Sequence, residues 1–401
     1  MNRPFFSWVK SSTSAKKFAV VALLLCLAYY ALEAYNGRSQ MADFRVYYDA
    51  ANAFLYDQQV YGVAFGVSSG FYKYSPFACL PFVPLAILPY GVASFIYYVI
   101  ISLSVIGFML YLVYFFSEKK NKNTGWILAA ISLFMADHLE RELHLGNVNL
   151  FLLMLCFLLF EWSTQGSKIK AGIIYGIVLL FKPHFAILLP YFIWKMEWKK
   201  MFAAVVTIII GLFLPALIKG WTNNMVLLQQ WSAAMRDHNM KLEESPNTIY
   251  GILNRFVLMH SGGSWLILVV LAIVGLLFIW LMIQNAKQHG KGKMIFIEYF
   301  LLIALIPNLA HTDTEHFMWT WPLIAYVIVH LFDSAFANKK LIVAIMCLAF
   351  VPYCLNSPDI VGRDLRFLFD EGGLLGVANL LIIGAAVFVF KQNQKTDMMA
   401  V

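Results

Sequence analysis

The chain is built from long apolar runs separated by short, mostly basic connections. Residues 92–116 contain no charged side chain at all. A helix that crosses a bilayer needs about 20 consecutive apolar residues. Runs near that length recur at 18–35, 92–116, 126–139, 148–162, 201–219, 265–284, 294–310, 316–332, 340–355 and 374–390. Only 13% of the 401 residues are charged, against about 25% in a soluble domain. Too few charges remain to cover a water-exposed surface. The expected fold is therefore an all-α, polytopic transmembrane helical bundle of about ten to twelve membrane segments. It forms one integral membrane domain over residues 1–401, and nothing in it suggests nucleic-acid binding. The five cysteines sit in apolar runs without metal-ligand or disulfide spacing, so neither framework is expected.

Two apolar stretches do not read as simple spans. Residues 75–90 carry Pro76, Pro81, Pro84 and Pro89, and Lys182-Pro183 interrupts residues 171–194. Both are expected to be re-entrant or broken, which membranes tolerate only where protein or a wet cavity receives the freed backbone groups. The first span follows Arg3, Lys10, Lys16 and Lys17, which puts the tail 1–17 in the cytoplasm and makes the span an anchor rather than a cleaved signal. If both misfit stretches return to their own side, the basic loops and the tail 391–401 fall inside with a net charge of +13. The outer segments, including the loops 36–74 and 220–264, then carry −5, which completes the chain's net +8. The expected location is a bacterial inner (plasma) membrane.

With that topology, most polar residues that loop solvation does not explain share the outer side. Asp43 opens a helical face of Phe44, Tyr47, Tyr48, Ala51, Phe54 and Leu55, expected to be an interfacial amphipathic helix. Asp43 is then its N-cap, a catalytic carboxylate, or both. The charged segment Asp137 to Asn149 suits a solvated turn, but the amides Asn147 and Asn149 after Gly146 suit a hydroxyl-rich ligand. Lys182 in an apolar run either snorkels to the interface or supplies a point charge to a lipid-linked phosphate. Arg255, after Asn247, has the same two readings. His311 and His316 are five residues apart, which gives a zinc site little support, and no metal or cofactor is expected. His316 is amphipathic filler or shares a proton with an acid from another helix.

In chain order, these residues resemble glycosyltransferase family 87, of GT-C type. The resemblance rests on Asp43-Phe44-Arg45-Val46-Tyr47-Tyr48-Asp49-Ala50-Ala51 with Val60-Tyr61-Gly62, on Tyr74-Ser75-Pro76 and on Gly146-Asn147-Val148-Asn149. It continues with Gly172 and Gly176 before Lys182-Pro183, Asn247 through Arg255, and His316-Phe317-Met318-Trp319. Two positions depart from the family pattern: Asn147 stands where Gln is frequent, and Glu315 where a first His is frequent. The resemblance implies metal-independent, inverting transfer of a mannose-like hexose from a polyprenyl-phosphate-linked sugar donor to a lipid or glycan acceptor in the cell envelope. Asp43 would act as general base with His316 beside it. Arg45, Tyr47, Tyr74, Asn147, Asn149, Lys182, Asn247 and Arg255 would bind substrate, with Lys182 and Arg255 on the departing phosphate.

A transporter or flippase of lipid-linked sugars is the main rival, but it would place its substrate at mid-depth between repeated halves, and no internal repeat is evident. An O-antigen-type polymerase or ligase would need a more arginine-rich outer loop than 220–264. A structural subunit would leave the convergence of Asp43, Lys182, Arg255 and His316 without a reason.

Overall fold

The computed structural model describes residues 5–66, 70–117, 123–238, 245–255, 264–310, 313–333, 338–356 and 358–399. It is a helical bundle, and among the described residues the only strands are a two-residue hairpin pairing Ala64 with Phe71 and Phe65 with Gly70. Among the described residues, five helices are long and apolar enough to cross a membrane: Thr13–Tyr35, Tyr90–Phe116, Trp198–Lys219, Leu268–His289 and Leu374–Asn393. A sixth candidate is the pair Ala136–Leu145 and Asn149–Thr164, bent by 115° at the break. Several other expected spans are shorter helices, such as Phe296–Leu309 and Thr124–Phe134. The span Thr13–Tyr35 leaves Val20, Val21, Leu24, Leu25 and Leu32 exposed, which suits a lipid-facing surface and not water.

The proline-rich stretches are broken, as their composition requires. Residues Pro76–Phe82 form a 3-10 turn followed by the short helix Val83–Ala86. The helix Lys168–Phe181 stops at Lys182, and the chain continues as a 3-10 segment Pro183–Leu188 and a helix Leu189–Trp194. A residue before proline is pushed out of the helical region by the pyrrolidine ring. Lys182 accordingly takes φ −134°, ψ 104°.

Apolar burial drives little helix association in lipid, so close backbone packing has to supply it. Gly172 and Gly176, four residues apart, face the helix Trp198–Phe213. A Cβ on Gly172 would lie 2.3 Å from the Lys200 carbonyl oxygen, and one on Gly176 2.6 Å from Thr207 Cβ. These two glycines hold the helix that ends at Lys182 tightly against its neighbour.

The loop after Trp194 is not merely a solvated basic connection. Lys195 Nζ lies 2.8 Å from Glu298 Oε2 with both side chains fully buried, and Tyr191 and Asn285 donate hydrogen bonds to the same carboxylate. Truncating one partner of a buried pair strands the other charge and costs about 3–5 kcal/mol. Glu298→Ala should therefore lower the unfolding midpoint in detergent markedly, whereas Lys168→Ala, whose Glu197 contact is partly exposed, should not. Equal midpoints for the two variants would show that the buried pair contributes no such stability.

Candidate active site

The helix Ala42–Leu55 carries the first carboxylate. Its N-cap is Met41 in the left-handed region (φ 43°), so Asp43 is the second helical residue and not the cap that its position in sequence suggests. This leaves its carboxylate free for a partner from another segment. Phe44, Tyr47, Ala51 and Phe54 are buried while Tyr48 and Leu55 are partly so, and the helix packs on the broken segment 76–86.

The segment Asp137 to Leu145 is a helix and not a solvated turn, with His138, Glu142 and Leu143 buried. It ends at Gly146, where two constraints meet. The backbone is left-handed (φ 67°), and an added Cβ would sit 2.7 Å from both Met41 Cε and Phe44 Cβ. Only glycine satisfies both. The 115° bend there aims the next residues at the helix that bears Asp43. Asn147 Nδ2 donates to Asp43 Oδ2 at 2.5 Å, and Asn147 Oδ1 accepts from the Val148 backbone N–H at 2.7 Å. Two residues on, the fully buried Asn149 accepts from Lys182 Nζ through Oδ1 at 2.6 Å. Its Nδ2 has no hydrogen-bond partner among the described residues.

Lys182 Nζ also lies 2.6 Å from His316 Nε2, while His316 Nδ1 lies 3.1 Å from the Asp313 carbonyl oxygen. An ammonium can only donate, so Nε2 accepts and Nδ1 carries the hydrogen to the carbonyl. Burial, and then the Lys182 charge, hold the imidazole pKa well below its ordinary value. His316 is thus a neutral ring that orients Lys182, held between that lysine, the Asp313 carbonyl and the edge of the Trp319 ring. Tyr74 and Trp319 offer ring faces to the same ammonium at 5.8 and 5.4 Å. The Tyr47 and Tyr74 hydroxyls are 3.2 Å apart, and Ser75 Oγ anchors that strand of chain by donating to the Leu180 carbonyl at 2.6 Å.

Burial, and then the charge of Glu315, raise the Asp43 pKa to about 6 against the opposing pull of Lys182 and the Asn147 hydrogen bond. A carboxylate there can hold or release a proton close to neutral pH.

The structure thus assembles Asp43, Tyr47, Tyr74, Asn147, Asn149, Lys182 and His316. Three further expected residues point elsewhere. Arg45 pairs with Asp49 at 2.7 Å and lies over the Tyr90 ring. Asn247 caps the start of the last helix, its Oδ1 accepting from the Gly376 N–H at 3.1 Å. The Arg255 guanidinium is taken by the carboxylate and carbonyl of Glu371. His311 lies outside the described residues.

Sequence reasoning missed Tyr97, whose hydroxyl donates to the Asn147 carbonyl at 3.3 Å. It also missed Glu142, which accepts from the Leu150 N–H at 2.8 Å and braces the bend. Asp313, Glu315 and His316 bring one potential metal-ligating atom each within 4.8 Å of one another. Positive charge already reaches this group from Lys182 on His316 and from Arg141, 3.4 Å from Glu315.

A search of curated proteins finds no match. The family model for glycosyltransferase family 87 matches residues 71–307. That segment contains Tyr74, Asn147, Asn149 and Lys182, while Asp43 and His316 flank it on either side. Because the match covers more than half of the chain, this protein belongs to glycosyltransferase family 87 and is a membrane glycosyltransferase of GT-C type.

Proposed function

We propose that the enzyme transfers a mannose-like hexose from a polyprenyl-phosphate donor to a hydroxyl of a lipid or glycan acceptor. The reaction would occur at the non-cytosolic face of a bacterial plasma membrane, with both termini in the cytoplasm. The observation that carries the reading is the pairing of opposite charges through neighbouring amides: Asp43 on Asn147 and Lys182 on Asn149.

In an inverting displacement, Asp43 takes the proton of the acceptor hydroxyl as its oxygen attacks the anomeric carbon. The bond from that carbon to the phosphate oxygen breaks on the opposite face, and the electron pair leaves with the polyprenyl phosphate. Lys182, oriented by neutral His316, meets the charge that develops there. The spare N–H of Asn149 offers a hydrogen bond to the same phosphate or to the sugar. Tyr47 and Tyr74 give the sugar an aromatic wall with two hydroxyls. Metal-independent transfer is consistent with this arrangement, since Lys182 supplies the positive charge that a divalent ion would otherwise bring.

The test is to supply the purified protein in lipid with polyprenyl-phosphate hexoses and candidate acceptors, with and without EDTA, and to follow donor and product by mass spectrometry. Donor consumption and a product of inverted anomeric configuration, unaffected by EDTA, are expected. Retained configuration would remove the single-base mechanism. Loss of activity in EDTA, restored by a divalent cation, would transfer Lys182's part to an ion on Asp313, Glu315 and His316.

A further inference from the structure

A pocket of about 340 Å³ opens at the other end of the helix that carries Asp43. Four amide side chains line it: Gln58, Gln59, Asn223 and Gln230. Asp57 and Lys219 line it too, and they neutralise each other through a 2.8 Å ion pair. Asp57 holds its carboxylate there from a left-handed backbone (φ 57°). Lys219 is further fixed by donating to the Leu55 carbonyl at 3.0 Å and lying over the Phe54 ring. The lining side chains therefore carry no net charge to attract phosphate. They do offer paired donors and acceptors, and each amide presents both, as a sugar hydroxyl requires of its surroundings.

The pocket is tied to the reaction centre on two sides. Asp43 and Phe54 are eleven residues apart on one helix, about 16 Å at 1.5 Å per residue. The chain neighbours of two lining residues are hydrogen-bonded to the segment that carries Tyr74. Tyr61, after Val60, donates to the Tyr74 carbonyl at 2.8 Å, and Trp231, after Gln230, donates to the Lys73 carbonyl at 3.1 Å. Tyr74 in turn contacts Tyr47 and Lys182.

We infer that this pocket is a subsite for uncharged saccharide units of the acceptor, remote from the hydroxyl that reacts at Asp43; the assignment to an acceptor rests on the transferase reading above. An acceptor that reaches both places is an oligosaccharide or its lipid conjugate, because one hexose cannot extend from the carboxylate to the amides.

The probes are linear mannotetraose and methyl mannoside, with binding to the full chain in nanodiscs followed by saturation-transfer NMR. Wild type should bind the tetrasaccharide. In the double variant Gln58→Ala/Gln230→Ala its Kd should rise at least tenfold with an unchanged unfolding midpoint, and Asn223→Ala should weaken it in the same direction. Turnover with methyl mannoside as acceptor should be the same in wild type and variants, whereas KM for the tetrasaccharide should rise. Equal tetrasaccharide affinity in wild type and both variants would overturn the subsite. So would absence of tetrasaccharide binding to wild type, or competition by inorganic phosphate. If wild type transfers no hexose, yet tetrasaccharide binding still depends on Gln58 and Gln230, the transferase reading fails and the saccharide pocket stands.

Discussion

Asp43→Asn should reduce turnover by about 10²- to 10⁴-fold, the usual contribution of a positioned general base, with little change in donor KM. The substitution preserves shape, and the new amide oxygen can still accept from Asn147 Nδ2, so the bend at Gly146 should remain packed. What disappears is proton affinity at the attacking oxygen. The pH profile supplies an independent readout. With the carboxyl pKa raised to about 6, the active, ionised form predominates above that pH. Wild-type kcat/KM should therefore fall about tenfold for each pH unit below it, while the residual rate of Asp43→Asn should lack that limb. A variant with wild-type turnover, or one that keeps the same acid limb, would remove Asp43 as the base.

Lys182→Ala should raise donor KM about ten- to a hundredfold, since a hydrogen bond to a charged group contributes about 1.5–3 kcal/mol. It should also lower kcat, because the charge that develops on the leaving phosphate loses its facing cation. A second consequence distinguishes an electrostatic role from a structural one. Lys182 lowers the Asp43 pKa, so its removal should raise that pKa and move the acid limb of the pH profile to higher pH. His316→Ala, which removes a neutral ring that orients the lysine, should weaken donor binding less and shift the limb little. Unchanged donor KM together with an unshifted limb would return Lys182 to the role of a buried structural cation.

These two charges were legible in the sequence because each breaks a local rule. Lys182 interrupts an apolar run just before a proline, and Asp43 opens an amphipathic helix beside the first span. Gly146, Asn147 and Asn149 were legible as a glycine-amide cluster between two apolar segments. Arg45, Asn247 and Arg255 looked equivalent to them, since they lie in polar segments assigned to the same side. What separates the two groups is which partner each side chain meets: Arg45 has Asp49 one turn along its own helix, and the other two are engaged from far along the chain. Glu371 reaches Arg255 across 116 positions, and Gly376 reaches Asn247 across 129. In this fold those partners engage the side chains away from the Asp43–Lys182 cluster. Glu142 was hidden by the opposite effect: read locally it is one more charge in a polar turn, and only the fold buries it.

Composition and apolar run length alone determined that this chain is a helical membrane protein, because hydrocarbon accepts only backbone whose hydrogen bonds are satisfied internally. The prolines of residues 76–89 and Pro183 likewise marked two of the places where its helices break. The tertiary structure alone decided that Asp43 is held by an amide and is not a helix cap. It also decided that His316 serves Lys182, and that among the described residues five helices, or six with the bent pair, have the length and apolarity to cross a membrane. Those outcomes depend on which segments meet after the bend at Gly146 and the break at Pro183. The energies of such meetings come from contacts between residues 33 to 134 positions apart, and no local pattern of residues contains them.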